Sequence, residues 1–589
     1  MRRNAITALA LISALAATVL PAAQAPAAPA KKTYTISMVP TVVPTRDGDI
    51  YSEIAHPVDA KGKIVKGPVI LTYSPYSVLG RESGRDRWVP KGYHVVFADV
   101  VGTGNSGGCY DYGGDREKRT AHDLVEWLAK QKWSTGKVGM IGASYNGTTQ
   151  HAAAVMHPKG LTTIIPEAAI ARWYDYAFSG GIRYNLQNEN PADEGVDTPL
   201  LFDFGFAIPP PVDVEDPSWA DRVASSVTPC DELTHTEHGY DQTPDYDEFW
   251  IERDYERLAH KVKIPVLVSH NWGDWNVKQA NGWDMFKAYP NAKMFFGDRW
   301  TGHGTPDGKY DQVVDKWFDH YLMGIDNGIE KLPKITSETS NWDGALKYLS
   351  ANKVKTTPVK LYAQKTPRTD PNDYDSKLLP TKPITGLMAF DDPEFPSTSI
   401  NTESHSNHHS RTNHDWWWFE SPALKKDTRI FGEIKVKAYL ETRREWITLT
   451  PTIVDIDMAC HIIEAGQHVG SNPECLPNAV YSVTRGFLDT RYRDGLEKQV
   501  PIKPGVPFKA TIVEKPQDYV FKKGHHIGLN FSTEINEWMI PKPYACADTD
   551  PLGCVNLKIR VSEGLTQVIL PIVGKVKNPN DLFDYGHQH

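Results

Sequence analysis

Between about residue 34 and residue 325, short apolar runs alternate with stretches of helical spacing. Residues 68–73 form an apolar run that breaks at Ser74-Pro75, and 93–99 form a second that opens into the glycine-rich stretch 102–108. Leu124, Trp127 and Leu128 share one face of a helix predicted over 120–133. Residues 138–142 predict a short strand running into Ser144, and 152–156 suit the helix that follows. Runs at 161–165, 266–268 and 294–296 complete the strand set. Apolar strands separated by helices predict a mainly parallel sheet covered on both faces. Residues 172–255 break the alternation: they are rich in Pro, Asp, Glu and aromatics and predict a helical insertion capping the sheet's C-terminal edge. Beyond about residue 355, Val- and Ile-rich stretches at 430–440, 446–454, 519–531 and 567–573 are separated by Gly, Pro, Asn and Asp turns. That texture predicts an all-β sandwich or jelly roll over 355–589.

A chain of 589 residues is too long for one core and has room for roughly two to four domains. Its hydrophobic share of 40% is enough for packed cores and excludes a mainly disordered chain. A net charge of -9 offers no basic footprint for nucleic acid. Arg2 and Arg3, the apolar run 5–20 and the small-residue stretch ending Ala28-Pro29-Ala30 read as an export signal over 1–30. The apolar run falls short of the ~20 residues a membrane helix needs, so the expectation is a secreted protein with no membrane attachment after cleavage. Six cysteines in an exported chain suggest disulfides. Cys460 and Cys475 are near in sequence, as are Cys546 and Cys554, which leaves Cys109 for Cys230. Spacing does not fix that connectivity, and buried free thiols are the alternative. His405, His408, His409 and His414 lie in a polar stretch that reads as a solvated loop rather than a metal site. The oligomeric state is not set by the sequence.

The chemistry centres on Gly142-Ala143-Ser144-Tyr145-Asn146-Gly147, placed between a predicted strand and a predicted helix. A nucleophile elbow needs that setting, because the turn holds the serine hydroxyl above the sheet. Here Asn146 stands where the second glycine of G-x-S-x-G would be, a mild departure because Asn tolerates unusual backbone angles. A serine needs a base, and the base needs an orienting acid. Asp274 ends the run that starts at Val266, and His303 follows the next strand in a loop with Gly302 and Gly304. The chain order Ser, Asp, His is that of the α/β-hydrolase fold. For Asp274 the bland alternative is a helix N-cap. His270 is a rival base, but it precedes the acid in the chain; Asp298 is a rival acid, but it follows the wrong strand. The residue after the nucleophile, Tyr145, supplies one oxyanion N–H. The second donor should come from the loop after an earlier strand, and Ser74-Pro75-Tyr76 lies in such a loop; from the residues alone Tyr76 is equally a hydroxyl donor or a packed aromatic.

Five stretches together resemble the Xaa-Pro dipeptidyl-peptidase family of serine peptidases, related to bacterial cocaine esterases and α-amino-acid ester hydrolases. They are Pro75-Tyr76, the Ser144-Tyr145 elbow, the string from Pro166 to Tyr176, Asp274-Trp275-Asn276-Val277-Lys278, and His303-Gly304. The region beyond Phe419 resembles that group's jelly-roll domain. The chain departs from many members in having Val101, not Arg, before Gly102. The resemblance implies an α/β-hydrolase domain (34–171 and 256–350) with a helical cap insertion (172–255), then a β jelly roll (355–589). It implies catalysis by Ser144, Asp274 and His303 without metal or cofactor, and Tyr76 as oxyanion donor. The implied substrates are peptides with Pro at the second position. Counting two residues from a free N-terminus calls for an anionic anchor, for which Glu194 and then Asp193 are the candidates. Trp173, Tyr174, Trp275 and Asn276 are candidates for the pocket wall. Two other readings remain open: an esterase or amidase of the related branches, and a non-catalytic carbohydrate-binding surface protein.

Overall fold

The computed structural model describes residues 33–76, 84–183, 244–299, 302–341, 344–365, 376–383, 417–457, 461–462, 475–476, 479–531, 557–559 and 565–585. Among them, β1 (Thr35–Val43) and β2 (Ile50–Val58) form an antiparallel hairpin, and β2 pairs antiparallel with β4 (His94–Asp99). From β4 the sheet turns parallel through β3 (Gly67–Ser74), β5 (Ser134–Ala143), β6 (Leu161–Glu167), β7 (Val266–Asn271), β8 (Ala292–Gly297) and β9 (Ile335–Asn341). An antiparallel strand, β10 (Gly344–Ala351), closes that edge. Every residue of β3 and of β7 is buried, as strands covered on both faces must be. The covering helices are amphipathic. In α1 (Asp115–Lys130), Ala121, Leu124, Val125 and Leu128 face the sheet, acids occupy the first turn and Lys130 the last, matching the helix dipole. On the sheet's other face, α6 (Tyr310–Tyr321) buries Tyr310, Val314, Trp317 and Phe318.

The α/β-hydrolase architecture was legible in the runs at 68–73, 93–99, 138–142, 161–165, 266–268 and 294–296. The β1–β2 hairpin was not among the predicted strands. Its outer strand leaves Met38, Val39 and Val42 exposed, so it lacks the clean alternation that marks a half-buried strand.

Residues beyond 355 form the expected antiparallel β domain around a second core. Lys435–Thr442 and Phe508–Val513 alternate exposed and buried positions, one face in and one out. The predicted strand 446–454 breaks into Thr448–Leu449 and Thr452–Asp457 across Pro451, and 519–531 breaks into Gln517–Phe521 and His526–Phe531. Gln517–Phe521 and Thr452–Asp457 are buried throughout. A single parallel bridge, Ser340 to Tyr519, stitches this domain to β9.

The interior of the insertion (184–243) lies outside the described residues, as do the export signal and the four histidines from His405 to His414. Of the six cysteines only Cys109 has a described side chain, so each expected pairing has a member outside the described residues. Among the described residues no helix is long and apolar enough to cross a membrane.

Candidate active site

Ser144 stands between β5 and α2 (Tyr145–Val155) with φ 60° and ψ −128°. A non-glycine residue held there carries of order 1–3 kcal/mol of strain, typical of a functional turn. The turn demands small neighbours. A Cβ on Gly142 would lie 2.5 Å from Asn146 Cβ, and one on Gly147 would lie 2.6 Å from the Glu167 carbonyl oxygen and 2.8 Å from Ala169 Cβ. The second glycine is thus needed at 147, where α2 crosses β6. Asn146 is an ordinary helical residue without a positive φ, so the departure from G-x-S-x-G needs no tolerance of unusual angles.

The Tyr76 hydroxyl donates to Ser144 Oγ at 3.2 Å and itself accepts the Tyr145 N–H. Both sequence-predicted oxyanion donors therefore meet at the nucleophile. Burial pushes the Tyr76 phenol above its ordinary pKa, which keeps its proton available for donation. The Tyr145 ring runs inward, and its hydroxyl donates to buried Glu117 at 2.7 Å. Burial, reinforced by nearby Asp111, pushes Glu117 up to about 8.

Asp274 is fully buried just beyond β7. Its Oδ1 accepts the Val277 N–H at 3.0 Å, and its Oδ2 accepts His303 Nδ1 at 2.8 Å. Capping a turn and holding a histidine, set against each other in the sequence, are performed by different oxygens of one carboxylate. Burial pushes Asp274 up, but the charge and hydrogen bond of His303 and a contact from His270 outweigh it, leaving the carboxyl well below the usual range. Burial pulls His303 down; the Asp274 charge and hydrogen bond reverse that and hold the imidazole above its ordinary value. No hydrogen bond joins His303 to Ser144, whose oxygen accepts from Tyr76 and whose own proton remains to be donated; such bonds often tighten only with substrate bound. The rival base, His270, is buried against the same carboxylate, with Nε2 3.1 Å from Oδ2. The rival acid, Asp298, has its carbonyl, not its carboxyl, in the backbone bonding of the Gly273 turn.

Both loops lean on the β domain. Gln517 Nε2 donates to the Trp272 carbonyl at 3.0 Å, and Trp272 Nε1 donates to Ser337 Oγ, which in turn donates to Asp518. On the His303 loop, Arg299 donates to the Ser482 carbonyl at 2.6 Å and lies over the Tyr519 ring at 5.3 Å. The loops also grip each other: Asn271 Nδ2 donates to the carbonyls of Gly302 and Gly304, and a Cβ on Gly273 would strike the Arg299 carbonyl.

The pocket-wall expectations divide. Asn276 is half-buried and accepts from the Tyr176 hydroxyl at 3.1 Å. Trp275 is largely buried beneath the Arg485 guanidinium, 4.6 Å from its ring. Trp173 and Tyr174 are corrected: both are fully buried core residues. Trp173 packs on Tyr112 and Tyr145 and donates to the Tyr255 hydroxyl, while Tyr174 stacks on Phe178 and donates to the Pro244 carbonyl. Large aromatics beside a sheet bury first and line pockets second. Glu194 and Asp193 lie outside the described residues. Two residues were missed. Tyr176 ends the aromatic string and feels the fields of both Tyr76 and Asp274. Arg485 arrives from the β domain, and nothing local in its strand marks its contact with Trp275. Among the described residues no group of three or more His, Cys, Asp or Glu is placed to hold a metal.

Comparison with known proteins points the same way as the geometry. Residues 47–305 match the model of the X-Pro dipeptidyl-peptidase (S15 family), and 327–549 match that of the X-Pro dipeptidyl-peptidase C-terminal non-catalytic domain. A relative from Bacillus anthracis is 28% identical over 524 residues, covering 85% of this chain and 76% of its own. The Xaa-Pro dipeptidyl-peptidase of Lacticaseibacillus paracasei is 25% identical over 494 residues, covering 76% of this chain and 59% of its own. Among solved structures, a CocE/NonD family hydrolase from Staphylococcus aureus superposes with a TM-score of 0.67 at 18% identity, covering 92% of this chain and 94% of that one. An α-amino acid ester hydrolase gives 0.65 at 19%, covering 93% and 98%. These two likenesses establish the fold.

Proposed function

This chain belongs to the S15 family of X-Pro dipeptidyl-peptidases, which are serine peptidases, and from that premise we propose that it is a secreted exopeptidase releasing Xaa-Pro dipeptides through a Ser144–His303–Asp274 acyl-enzyme mechanism. The observation that carries the mechanism is the pairing of Tyr76 and Tyr145 on a strained Ser144, beside a loop in which Asp274 holds His303 at 2.8 Å. In this reading Ser144 Oγ attacks the carbonyl after Pro while His303 Nε2 takes its proton. Asp274 keeps the imidazole oriented and stabilises its positive charge. The Tyr76 O–H and Tyr145 N–H hold the developing oxyanion, which a preorganised pair of donors does without reorganisation. His303 then passes the proton to the leaving amine, and the C–N bond breaks. Water, deprotonated by His303, cleaves the ester and returns Ser144 to its resting state. Asn276, which accepts from the Tyr176 hydroxyl, is the proposed contact to the substrate backbone. Glu194 is the proposed anchor for the substrate ammonium, with Asp193 second. The basic, apolar and small-residue order of residues 1–30 supports export, and export in turn supports paired cysteines.

A rate panel tests this reading. An Ala-Pro anilide is expected to be hydrolysed with higher kcat/KM than a simple aryl acetate; the reverse order would move the protein to the esterase branch. In the same panel Glu194→Gln is expected to lose most activity on the anilide and little on the uncharged ester. Equal losses on both would remove the anchor. A fluorophosphonate is expected to label Ser144, and an intact chain that fails to label would return the non-catalytic reading.

A further inference from the structure

The proposed mechanism uses one histidine on Asp274, yet the carboxylate meets two. His303 approaches Oδ2 from the half-exposed side, at 2.8 Å; His270, at the end of β7, approaches the same oxygen from the core, with Nε2 at 3.1 Å. His270 is fully buried, and the elements against it are built to leave it no other partner. From β8 it meets the Phe296 ring, with centroids 5.7 Å apart. From α5 (Ala280–Ala288) it meets Gly282, where a Cβ would lie 2.7 Å from Nδ1 and 3.0 Å from Cγ. Neither neighbour is charged or titratable. Neither ring nitrogen makes a well-aligned hydrogen bond, but they face different surroundings: Nδ1 meets only the apolar wall, whereas Nε2 lies 3.1 Å from the Asp274 carboxylate.

We propose that His270 is a positioning residue of this site: a buried imidazole whose Nε2 sets the rotation of the Asp274 carboxylate and shares its charge with His303. With Oδ1 committed to the Val277 N–H, the contact from His270 leaves the carboxylate one orientation, the one that presents Oδ2 to His303 Nδ1. Withdrawing electron density from Oδ2 also moderates how strongly Asp274 holds the imidazolium. That matters for a base that must give its proton up again to the leaving amine. The 3.1 Å contact is offset from a straight hydrogen bond in the resting geometry, so its value is directional support rather than a tight bond.

The role rests on the proposed triad, and the experiment separates the two. Full-length protein and its His270→Leu and His270→Gln variants are titrated with a fluorophosphonate, and kcat, KM and the pH profile are measured per labelled site. His270→Leu is expected to lose about 10- to 100-fold in kcat with KM nearly unchanged, and its acid limb is expected to move to higher pH, because an unshared Asp274 charge binds the His303 proton more tightly. His270→Gln, whose amide N–H reaches the place of Nε2, is expected to restore most of the rate and the original limb. Should His270→Leu fail to fold, His270→Asn replaces it, since its amide stops short of Oδ2. Wild-type rate and an unmoved limb in the Leu or Asn variant overturn the role, as does equal slowing of that variant and Gln with an unmoved limb, which marks packing alone. A folded wild type that does not label sinks the triad and this role together.

Discussion

The two halves of the proposed catalytic machinery are held by different means. Ser144 is fixed by its own strand–turn–helix unit: its carbonyl accepts the N–H groups of Gly147 and Thr148, Gln150 reaches back to Gly142, and one bond to Glu167 ties the turn to the next strand. Asp274 and His303 are separated by 29 residues, and their loops are gripped from outside by Gln517, Ser482 and Tyr519 of the β domain. The first half is a local structure that any correctly folded sheet edge would produce. The second is braced by a domain described for the family as non-catalytic. The Ser144 turn is short and self-bonded; the acid and base loops bond to each other and are braced in addition by the β domain.

This contrast yields three measurable outcomes. The largest concerns the local half. Tyr76→Phe removes one oxyanion donor without disturbing the turn, and is expected to lower kcat about 100-fold or more on an Xaa-Pro anilide while KM changes little. A loss within a few-fold would mean that the hydroxyl at 3.2 Å is only packing. Next is the clamped half. Arg299→Met keeps the volume but drops the bond to Ser482, and is expected to cost about 10-fold in kcat, since small misplacement of a catalytic loop is enough to slow the chemistry. Labelling of Ser144 by a small fluorophosphonate should fall in parallel, because that reaction also needs His303. A variant with unaltered kcat would show that the interdomain clamp is dispensable. The smallest effect is a matter of tens of per cent per tenth of a pH unit. His303 must be neutral to accept a proton, and Asp274 holds its pKa above the ordinary value of about 6.5. Activity is therefore expected to fall as pH drops through a midpoint above that value. A midpoint well below 6.5 would mean that Asp274 is not charged beside it.

Several residues show how far local pattern reaches. The elbow was legible because strand, strained serine and helix are consecutive, and Gly142 answers a clash within the turn itself, whereas Gly147 answers one with the next strand. Asp274 and His303 were legible because each ends or follows an apolar run, and parallel strands deliver their C-terminal loops to one edge. Trp173 and Tyr174 were candidates for the pocket with core packing as the default, and the structure buries both; a string of aromatics carries no sign of which ring faces the core and which faces solvent. Tyr176, two residues on, was left out of the site for the same reason. Arg485 and Arg299 stand in stretches the sequence singled out, but their contacts gave no signal, since each acts across a domain boundary on a partner distant in sequence.

The sequence by itself determined the order of strands and helices, the strained turn at Ser144, the chain order of acid and base, and the change to an antiparallel β domain. These follow from periodicity and turn chemistry, which are properties of neighbouring residues. Only the tertiary structure decided which aromatics are core, that one carboxylate serves Val277 and two histidines at once, and that the β domain holds the acid and base loops. Those are facts about side chains meeting through space, where burial removes water as a competing partner and leaves each polar group to whichever neighbour the fold has brought within reach.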